Sequence, residues 1–330
     1  MSTIPATFKA YQYESFGEDP FKEIKLNPTA VQAPLHAGEV RVKIFSAALN
    51  PADYKLVQQG PSLGLTTHPT PENPFRLGFD LAGAVVELGP DVKNYEIGDE
   101  VYGMPFIDSF GSVGEYFNVN TKYLAHKPNN MSWNEAAGVP LAGQTSWQAL
   151  VTYGKLQKGQ RVLILGGSSG TGLFAIQIAK ALGAEVITTC SARNVELVKS
   201  LGADQVVDYT KEKWADVLAE HSVDLIYDCG MEPASWNDVA QKVLKEKTGI
   251  FVTILTVDKP IESIIGATFH QIFNAPCTEY LLEVKKLIEA GQVKTVIDSV
   301  HPLENVIEAL KVQMSSRARG KIIIEVVKGQ

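Results

Sequence analysis

The residues best suited to chemistry are the glycines and hydroxyl side chains at 166–172. An apolar run of strand length, 162–165, leads into this turn, and an apolar-periodic helix, 173–180, leaves it. Glycines permit a tight turn and let the backbone approach a pyrophosphate, which the free N–H groups at a helix N-terminus attract. The residues predicted to contact such a pyrophosphate are Ser168, Ser169, Gly170, Thr171 and Gly172.

The glycine spacing departs from the usual G-x-G-x-x-G pattern. Gly167, Ser169 and Gly172 occupy its three positions, so a serine replaces the middle glycine. Loose glycine patterns also occur in purely structural strand–turn–helix units. The apolar strand before the turn and the helix after it favour a dinucleotide site over that alternative.

The residues after the next apolar strand, 186–190, indicate which dinucleotide binds. An NAD site has an Asp or Glu about 20 residues beyond the glycines, where it binds the ribose 2′-hydroxyl. The segment 186–195 contains no acid, and Ser191 and Arg193 follow the strand instead. A guanidinium forms charge-assisted hydrogen bonds with a phosphate, and Tyr209, after the third strand, is expected beside the same ribose. The sequence predicts NADP(H); the alternative is that Arg193 is a solvated residue at a helix start.

Composition excludes several classes of partner. The chain has 330 residues, 45% hydrophobic and 20% charged, as in a soluble globular protein of one large or two medium-sized domains. A net charge of −7 without a basic tract argues against nucleic acid and anionic membranes. Cys190, Cys229 and Cys277 are far apart and form neither a disulfide framework nor a close pair of metal ligands. We expect a reducing compartment, the cytoplasm by default, since the N-terminus also lacks a signal-peptide core.

The pattern of predicted secondary structure changes near residue 128. The part before it is rich in strands and irregular segments, whereas strands and helices alternate after it, as in a parallel sheet with right-handed crossovers. The final part is mixed, with a helix near 277–290 and a strand at 321–327. The predicted strands of the parallel sheet are 161–165, 186–190, 205–208, 223–228 and 249–254.

Motifs spread over almost the whole chain carry a family resemblance. Besides the glycine loop they are the segments 48–55, 78–83, 98–103, 140–146, 201–204 and 317–321. In this order and spacing they resemble the medium-chain dehydrogenase/reductase superfamily, in its zinc-free quinone oxidoreductase branch. Asn-Pro-x-Asp-x-Lys at 50–55 and Arg-Ala-Arg-Gly-Lys at 317–321 are most similar to enone (alkenyl furanone) reductases.

The resemblance implies an α/β fold with two domains. A GroES-like, β-rich catalytic domain would comprise residues 1–128 and, after a return of the chain, 271–330. A Rossmann domain with a doubly wound parallel sheet, 129–270, would bind NADPH, with the active site in the cleft between the domains. The segment 263–267 resembles the edge strand through which family members dimerise, so a homodimer is possible.

The same resemblance indicates whether the protein binds zinc. Gly78-Phe79-Asp80 stands where zinc-dependent relatives have Gly-His-Glu, and three scattered cysteines cannot form the structural zinc loop. The six histidines show no ligand spacing. We therefore expect no metal, and reduction of an activated C=C bond or a quinone instead of alcohol oxidation.

Further residue roles follow from the family. Thr145 and Leu255 would lie near the nicotinamide, Cys229 and Gly230 near the cofactor, and Arg317 would fold back towards it.

Three residues are candidates for the catalytic site. Lys55 would stabilise an enolate or relay a proton, unless it is an ordinary solvated lysine. Asn50 would bond the nicotinamide ribose or the substrate carbonyl, or only cap the turn at Pro51. Tyr102 would line the pocket, or be a buried tyrosine tied to backbone.

The expected function is NADPH-dependent reduction of α,β-unsaturated carbonyl compounds, with quinones as further substrates. The alternatives are a quinone oxidoreductase proper and a non-catalytic NADPH-binding protein with a structural or regulatory role. An intact nucleotide loop together with Lys55 and Asn50 argues against the last.

Overall fold

The computed structural model describes residues 4–107 and 109–329. Within these residues the chain forms two compact units. Unit 1 comprises the described parts of 1–141, 276–285 and 295–330, and unit 2 comprises 142–275 and 286–294.

The strands and helices are numbered in chain order over the described residues. The strands are β1 Thr7–Tyr13, β2 Lys25–Val31, β3 Glu39–Leu49, β4 Phe75–Arg76, β5 Asp80–Leu88, β6 Glu100–Gly103, β7 Tyr116–Asn120, β8 Leu124–His126, β9 Arg161–Leu165, β10 Glu185–Cys190, β11 Gln205–Asp208, β12 Leu225–Asp228, β13 Ile250–Thr253, β14 Thr268–Gln271, β15 Ile297–Pro302 and β16 Lys321–Glu325. The helices are α1 Pro20–Glu23, α2 Pro51–Gln59, α3 Trp133–Ala137, α4 Pro140–Trp147, α5 Gly170–Ala181, α6 Val195–Ser200, α7 Trp214–Val217, α8 Ala240–Val243, α9 Thr278–Glu289 and α10 Val306–Met314.

Unit 1 is organised around the long strand β3. This strand pairs antiparallel with β5, β7 and β16, and the sheet extends through β6 and β8 on one side and β15 on the other. Val40, Val42 and Ile44 of β3 are fully buried in a core that also contains Ile322 and Ile324 of β16. A smaller sheet has the order β2–β1–β4. Unit 1 is therefore the β-rich part that the sequence predicts.

Unit 2 contains a six-stranded sheet in which every pairing is parallel. Its order is β11–β10–β9–β12–β13–β14, which within the unit is 3-2-1-4-5-6, the Rossmann order. The order reverses between β9 and β12, and ligands of such sheets bind beyond the carboxyl ends of the strands at this switch point. The predicted doubly wound parallel sheet is confirmed.

The expected edge strand at 263–267 is wrong, because the edge strand is β14 and begins at Thr268. The Ser263 hydroxyl accepts a hydrogen bond from the Ala267 N–H (2.8 Å), and Gly266 has a φ of +74°. The segment therefore turns instead of extending. No helix within 4–107 and 109–329 is long and apolar enough to cross a membrane.

Candidate dinucleotide site and active-site residues

The glycine loop joins β9 directly to α5. Gly166 has a φ of +83°, and a Cβ atom on Gly172 would lie 2.3 Å from the Gly166 carbonyl oxygen, so neither position tolerates a side chain. The N–H groups of Gly166 and Gly167 donate to the hydroxyl and carbonyl oxygens of Thr189, both at 2.9 Å. These bonds tie the loop to β10 and fix its path at the switch point.

Ser169 explains why the middle glycine of the pattern can be replaced. It is the N-cap of α5, with extended backbone (φ −74°, ψ 164°) that any residue adopts, and its hydroxyl accepts from the Gly172 N–H at 3.0 Å. Ser168, Gly170 and Thr171 surround the same helix end and are partly exposed. The free N–H groups and positive dipole end of this 12-residue helix suit a pyrophosphate.

The residues predicted for the adenosine ribose follow the ends of β10 and β11. Ser191 is partly exposed, Arg193 is exposed, and the Tyr209 side chain is 55% exposed while its N–H donates to the Cys190 carbonyl oxygen (3.3 Å). All three side chains are therefore reached by solvent.

The carboxylate nearest to this region belongs to Asp208, at the end of β11. It accepts from both the hydroxyl (2.7 Å) and the N–H (3.1 Å) of Thr210, and the Thr210 hydroxyl is the main reason why its pKa is lowered. This carboxylate therefore closes its own turn.

Sequence reasoning missed Asn194. Its side chain is 4% exposed, and its Nδ2 donates to the Ser168 hydroxyl at 3.0 Å, so it connects the glycine loop to the segment after β10. An asparagine at the start of α6 is the signal that could have revealed it, since this residue type is common at helix N-caps.

The residues predicted near the nicotinamide lie on α4 and after β12 and β13. Thr145 is buried on α4. Its neighbour Ser146, which the sequence analysis missed, has its hydroxyl 2.8 Å from both the Ala142 and Thr171 carbonyl oxygens. Ser146 thus fixes α4 against the first turn of α5.

Cys229 and Gly230 follow β12, as predicted, and Leu255 follows β13. Gly230 has a φ of +85°, and a Cβ atom there would lie 3.3 Å from Leu255 Cγ, so the glycine leaves room for that leucine. Burial raises the pKa of the Cys229 thiol well above its ordinary value. The thiol therefore stays protonated, which makes it a packing group and not a nucleophile.

In unit 1 the side chain of Asn50 belongs to a buried polar network. Its Nδ2 donates to Asp80 Oδ2 at 3.0 Å, and its Oδ1 accepts from Lys321 Nζ. Lys321 and Asp80 form an ion pair of 3.0 Å at 4% and 0% side-chain exposure. Asp80 Oδ1 also accepts from the Leu141 N–H at 2.7 Å. Asn50 is thus more than a cap for the turn, and its polar atoms already have partners within unit 1.

Helix α2 begins directly after Asn50 and carries Lys55. Asp53 Oδ2 accepts from the Asn50 N–H at 2.6 Å, so Asp53 anchors this turn. Burial, with a smaller contribution from Asp80, raises the pKa of Asp53 to about 8. Lys55 is partly buried, and among the described residues its ammonium forms no hydrogen bond or ion pair.

Tyr102 is fully buried, and its hydroxyl donates to the Leu281 carbonyl oxygen at 2.8 Å. This favours the second of the two alternatives, a buried tyrosine tied to backbone. Arg317 is exposed after α10, also in unit 1, with its N–H bonded to the Ser315 hydroxyl (3.2 Å).

Phe79 stands where a zinc-binding relative has histidine. It is buried, and its ring lies 5.3 Å from that of Phe110. In the part of the chain that the structure describes, no three His, Cys, Asp or Glu side chains converge in a group that could hold a metal ion.

Comparisons with known proteins identify the family. Residues 36–129 match the alcohol dehydrogenase GroES-like domain, and residues 201–324 match the family described as zinc-binding dehydrogenase. The chain is 35% identical to 2-methylene-furan-3-one reductase of Solanum lycopersicum over 98% of its own length and 80% of the relative. It is 34% identical to the chloroplastic NADPH-dependent alkenal/one oxidoreductase of Arabidopsis thaliana, covering 98% and 81% of the two chains.

A solved structure shows the same architecture. The quinone oxidoreductase of Coxiella burnetii superimposes with a TM-score of 0.83 at 28% identity, over 97% of this chain and 99% of that one. The chain therefore belongs to the medium-chain dehydrogenase/reductase superfamily of oxidoreductases, among relatives named as enone and quinone reductases.

Proposed function

We propose that the protein is an NADPH-dependent reductase that transfers hydride to the activated C=C bond of an α,β-unsaturated carbonyl compound. The observation that carries the proposal is the glycine loop at the switch point of the unit 2 sheet. In this loop Gly172 packs closely on Gly166, and Ser169 caps α5. The tomato and Arabidopsis relatives, whose names refer to a methylene-furanone and to alkenals and alkenones, supply the class of acceptor.

The residues of unit 2 suit NADPH along its length. The N-terminus of α5 would hold the pyrophosphate through Ser168, Ser169, Gly170, Thr171 and Gly172. Ser191, Arg193 and Tyr209 would hold the 2′-phosphate, because a guanidinium binds a dianionic phosphate well. Thr145, Cys229, Gly230 and Leu255 would surround the nicotinamide, and Arg317 is a further candidate for contact with the cofactor.

When bound, NADPH supplies a hydride. An enone contains its own electron sink: as the β-carbon accepts hydride, the C=C electron pair forms a new double bond to the carbonyl carbon and the C=O electron pair moves onto oxygen. The ammonium of Lys55 is our candidate for stabilising that oxygen, and water delivers the proton to the α-carbon. Asn50 and Tyr102 would have indirect roles. Asn50 would fix the start of α2, and Tyr102 would fix the sheet of unit 1.

Quinone reduction is the second candidate, and the similarity to the Coxiella quinone oxidoreductase favours it. A quinone also accepts hydride as an electron pair moves onto its carbonyl oxygen. Its reduction therefore requires no residues beyond those proposed for an enone.

Steady-state NADPH oxidation with a panel of enals, enones and quinones tests the proposal. We expect turnover of at least one enone or enal, and NADPH preferred over NADH by about tenfold or more, roughly 1.4 kcal/mol. Arg193→Ala should raise the KM for NADPH and leave that for NADH nearly unchanged. Turnover of quinones alone would select the second candidate, and NADPH binding without any turnover would select the non-catalytic role.

We also propose a reducing compartment, the cytoplasm by default. None of the three cysteines forms a disulfide within the described residues, and Cys190 and Cys229 are buried. Free buried thiols of this kind are usual where disulfides do not persist.

A further inference from the structure

The ends of two neighbouring strands in unit 2, β12 and β13, are joined by one buried carboxylate. In the sheet register Asp228, the last residue of β12, lies opposite Leu165 of β9 on one side and Thr253 of β13 on the other. The side chains of Asp228 and Thr253 are completely buried. These two residues, which we call the strand-end clamp, therefore lie at the switch point of the sheet.

The side-chain hydrogen bonds of the clamp join its two residues to each other and to the loops that follow β12 and β13. Asp228 Oδ1 accepts from the N–H groups of Met231 (2.8 Å) and Glu232 (2.9 Å), and Oδ2 accepts from the Thr253 hydroxyl (2.7 Å). The Thr253 oxygen in turn accepts from the Leu255 N–H at 3.2 Å. Both carboxylate oxygens thus have hydrogen-bond partners. Oδ1 holds the segment after β12 directly, and Oδ2 holds the segment after β13 through Thr253.

The clamped segments also contact the glycine loop and each other. The Met231 side chain packs on Gly166, where an added Cβ atom would lie 2.4 Å from Met231 Cγ. Leu255 packs on Gly230. The clamp thereby sets the positions of Gly230 and Leu255, while the glycine loop keeps its own hydrogen bonds to Thr189.

We propose that Asp228 and Thr253 are positioning residues for the nicotinamide half of the cofactor. This inference rests on the proposed function, because Gly230 and Leu255 are the residues assigned to that half. Asp228 is suited to the task because a carboxylate accepts on both oxygens, whereas an amide would offer N–H groups to one of its donors. Loss of the clamp should loosen the nicotinamide pocket and leave the adenosine end, which lies after β10 and β11, as it is.

The test compares two ligands on the full-length protein: NADPH and 2′-phospho-ADP-ribose, which lacks the nicotinamide. Thr253→Val removes the hydroxyl and both of its hydrogen bonds, whereas Thr253→Ser keeps them. Asp228→Asn removes one acceptor with little change in volume. Asp224→Asn is the matched control, because Asp224 is a buried carboxylate at the opposite end of β12, where it accepts from the Arg161 N–H (2.9 Å) and from Lys245 (2.8 Å).

We expect Thr253→Val and Asp228→Asn each to weaken NADPH binding about tenfold in calorimetric titrations, the effect of losing one or two buried hydrogen bonds. The affinity for 2′-phospho-ADP-ribose should change less than about twofold, and Thr253→Ser and Asp224→Asn should bind both ligands like the parent. A purely structural role would lower the melting temperature without separating the two ligands.

Three results would overturn the inference. Equal weakening of both ligands, or no weakening of NADPH in either variant, would show that the clamp does not position the nicotinamide, with the proposed function intact. Failure of the parent protein to bind either ligand would reject the proposed function and the inference together. If Thr253→Val does not fold, Asp228→Asn carries the same comparison.

Discussion

At the scale of single residues, unit 1 buries a charged pair and uses neighbouring polar groups to satisfy it. Lys321 and Asp80 are almost completely buried, and desolvating such a pair is costly unless further hydrogen bonds compensate. Asn50 bonds to both partners, and the Leu141 N–H bonds to Asp80. The network therefore holds the start of α2, and with it the helix that carries Lys55, in one position.

Lys55→Ala should lower kcat for a simple enone by about 10²-fold while the Kd for NADPH changes little. Negative charge develops on the carbonyl oxygen only as hydride is transferred, so a cation that stabilises it acts on the transition state. Stopped-flow hydride transfer and fluorescence titration of NADPH separate the two quantities. Lys22→Ala, which removes an exposed lysine of unit 1, is the control. Parental rates in Lys55→Ala would mean that the oxyanion is stabilised by other groups.

Asp53 should make the protein less stable as pH rises. Its pKa is about 8 in the folded chain against 3.8 for the ordinary carboxyl, so between these values the folded state binds the extra proton. The contribution of Asp53 to the free energy of unfolding is therefore full below about pH 4 and lost as pH rises through 8. Asp53→Asn keeps an acceptor for the Asn50 N–H without this titration.

Thermal unfolding at pH 5 and pH 8 measures the effect. Relative to the parent, the Tm of Asp53→Asn should rise between these two pH values. Parallel pH profiles for the two proteins would show that Asp53 titrates normally.

Whether the role of a single residue could be predicted depends on how near its hydrogen-bond partners lie in the sequence. The pyrophosphate residues, Ser191 and Arg193 could be proposed from sequence because they lie within or directly after the continuous segment β9–α5–β10. The partners of Asn50 and Tyr102 are 30 to 271 positions away in the chain, at Asp80, Lys321 and Leu281, so their alternatives had to stay open. Asn194 and Ser146 were missed for the same reason.

At the scale of elements, Ser169 has two roles at the junction of β9 and α5. It caps the helix, and it lies where the pyrophosphate is proposed to bind. Ser169→Asp should preserve the cap, because Asp is an equally good N-cap residue, but its negative charge should repel the phosphate.

We therefore expect Ser169→Asp to keep the parental Tm and to bind NADPH at least about tenfold more weakly, roughly 1.4 kcal/mol. Ser169→Ala should instead lose about 1 kcal/mol of stability, because it loses the cap. Thermal unfolding with NADPH titration of both variants measures these effects. Unchanged NADPH affinity in Ser169→Asp would place the pyrophosphate away from α5.

The positions of elements were more predictable than their ends. The strand expected at 223–228 begins at Leu225, and the one expected at 249–254 is Ile250–Thr253. Apolar runs identify buried strands, but their ends depend on pairing with distant neighbours. The error at 263–267 has a local cause, since apolar residues there suggested a strand while Ser263 and Gly266 close a turn.

At the scale of the whole molecule, the alternation of strands and helices predicted a parallel sheet, but not its strand order, which is set by non-local pairing. The return of the chain to the first domain was expected from the family resemblance alone. The structure returns 276–285 and 295–330 to unit 1 and keeps 286–294 in unit 2.

Activity should not depend on a divalent metal. Phe79 occupies the position of a zinc-binding histidine, although residues 201–324 match a family described as zinc-binding dehydrogenase. Elemental analysis should find far less than one zinc per chain, and a chelator should leave enone reduction unchanged. Loss of activity on chelation that added zinc restores would require a metal site that we have not recognised.

Reduction of an enone with NADPH deuterated at both hydrogens of nicotinamide C4 tests the central claim most directly. Mass spectrometry and NMR of the product locate the label. We predict a saturated ketone with deuterium on the β-carbon and solvent hydrogen on the α-carbon. Deuterium on the carbonyl carbon of an allylic alcohol, or oxidation of NADPH without deuterium in the organic product, would contradict hydride transfer to the activated C=C bond.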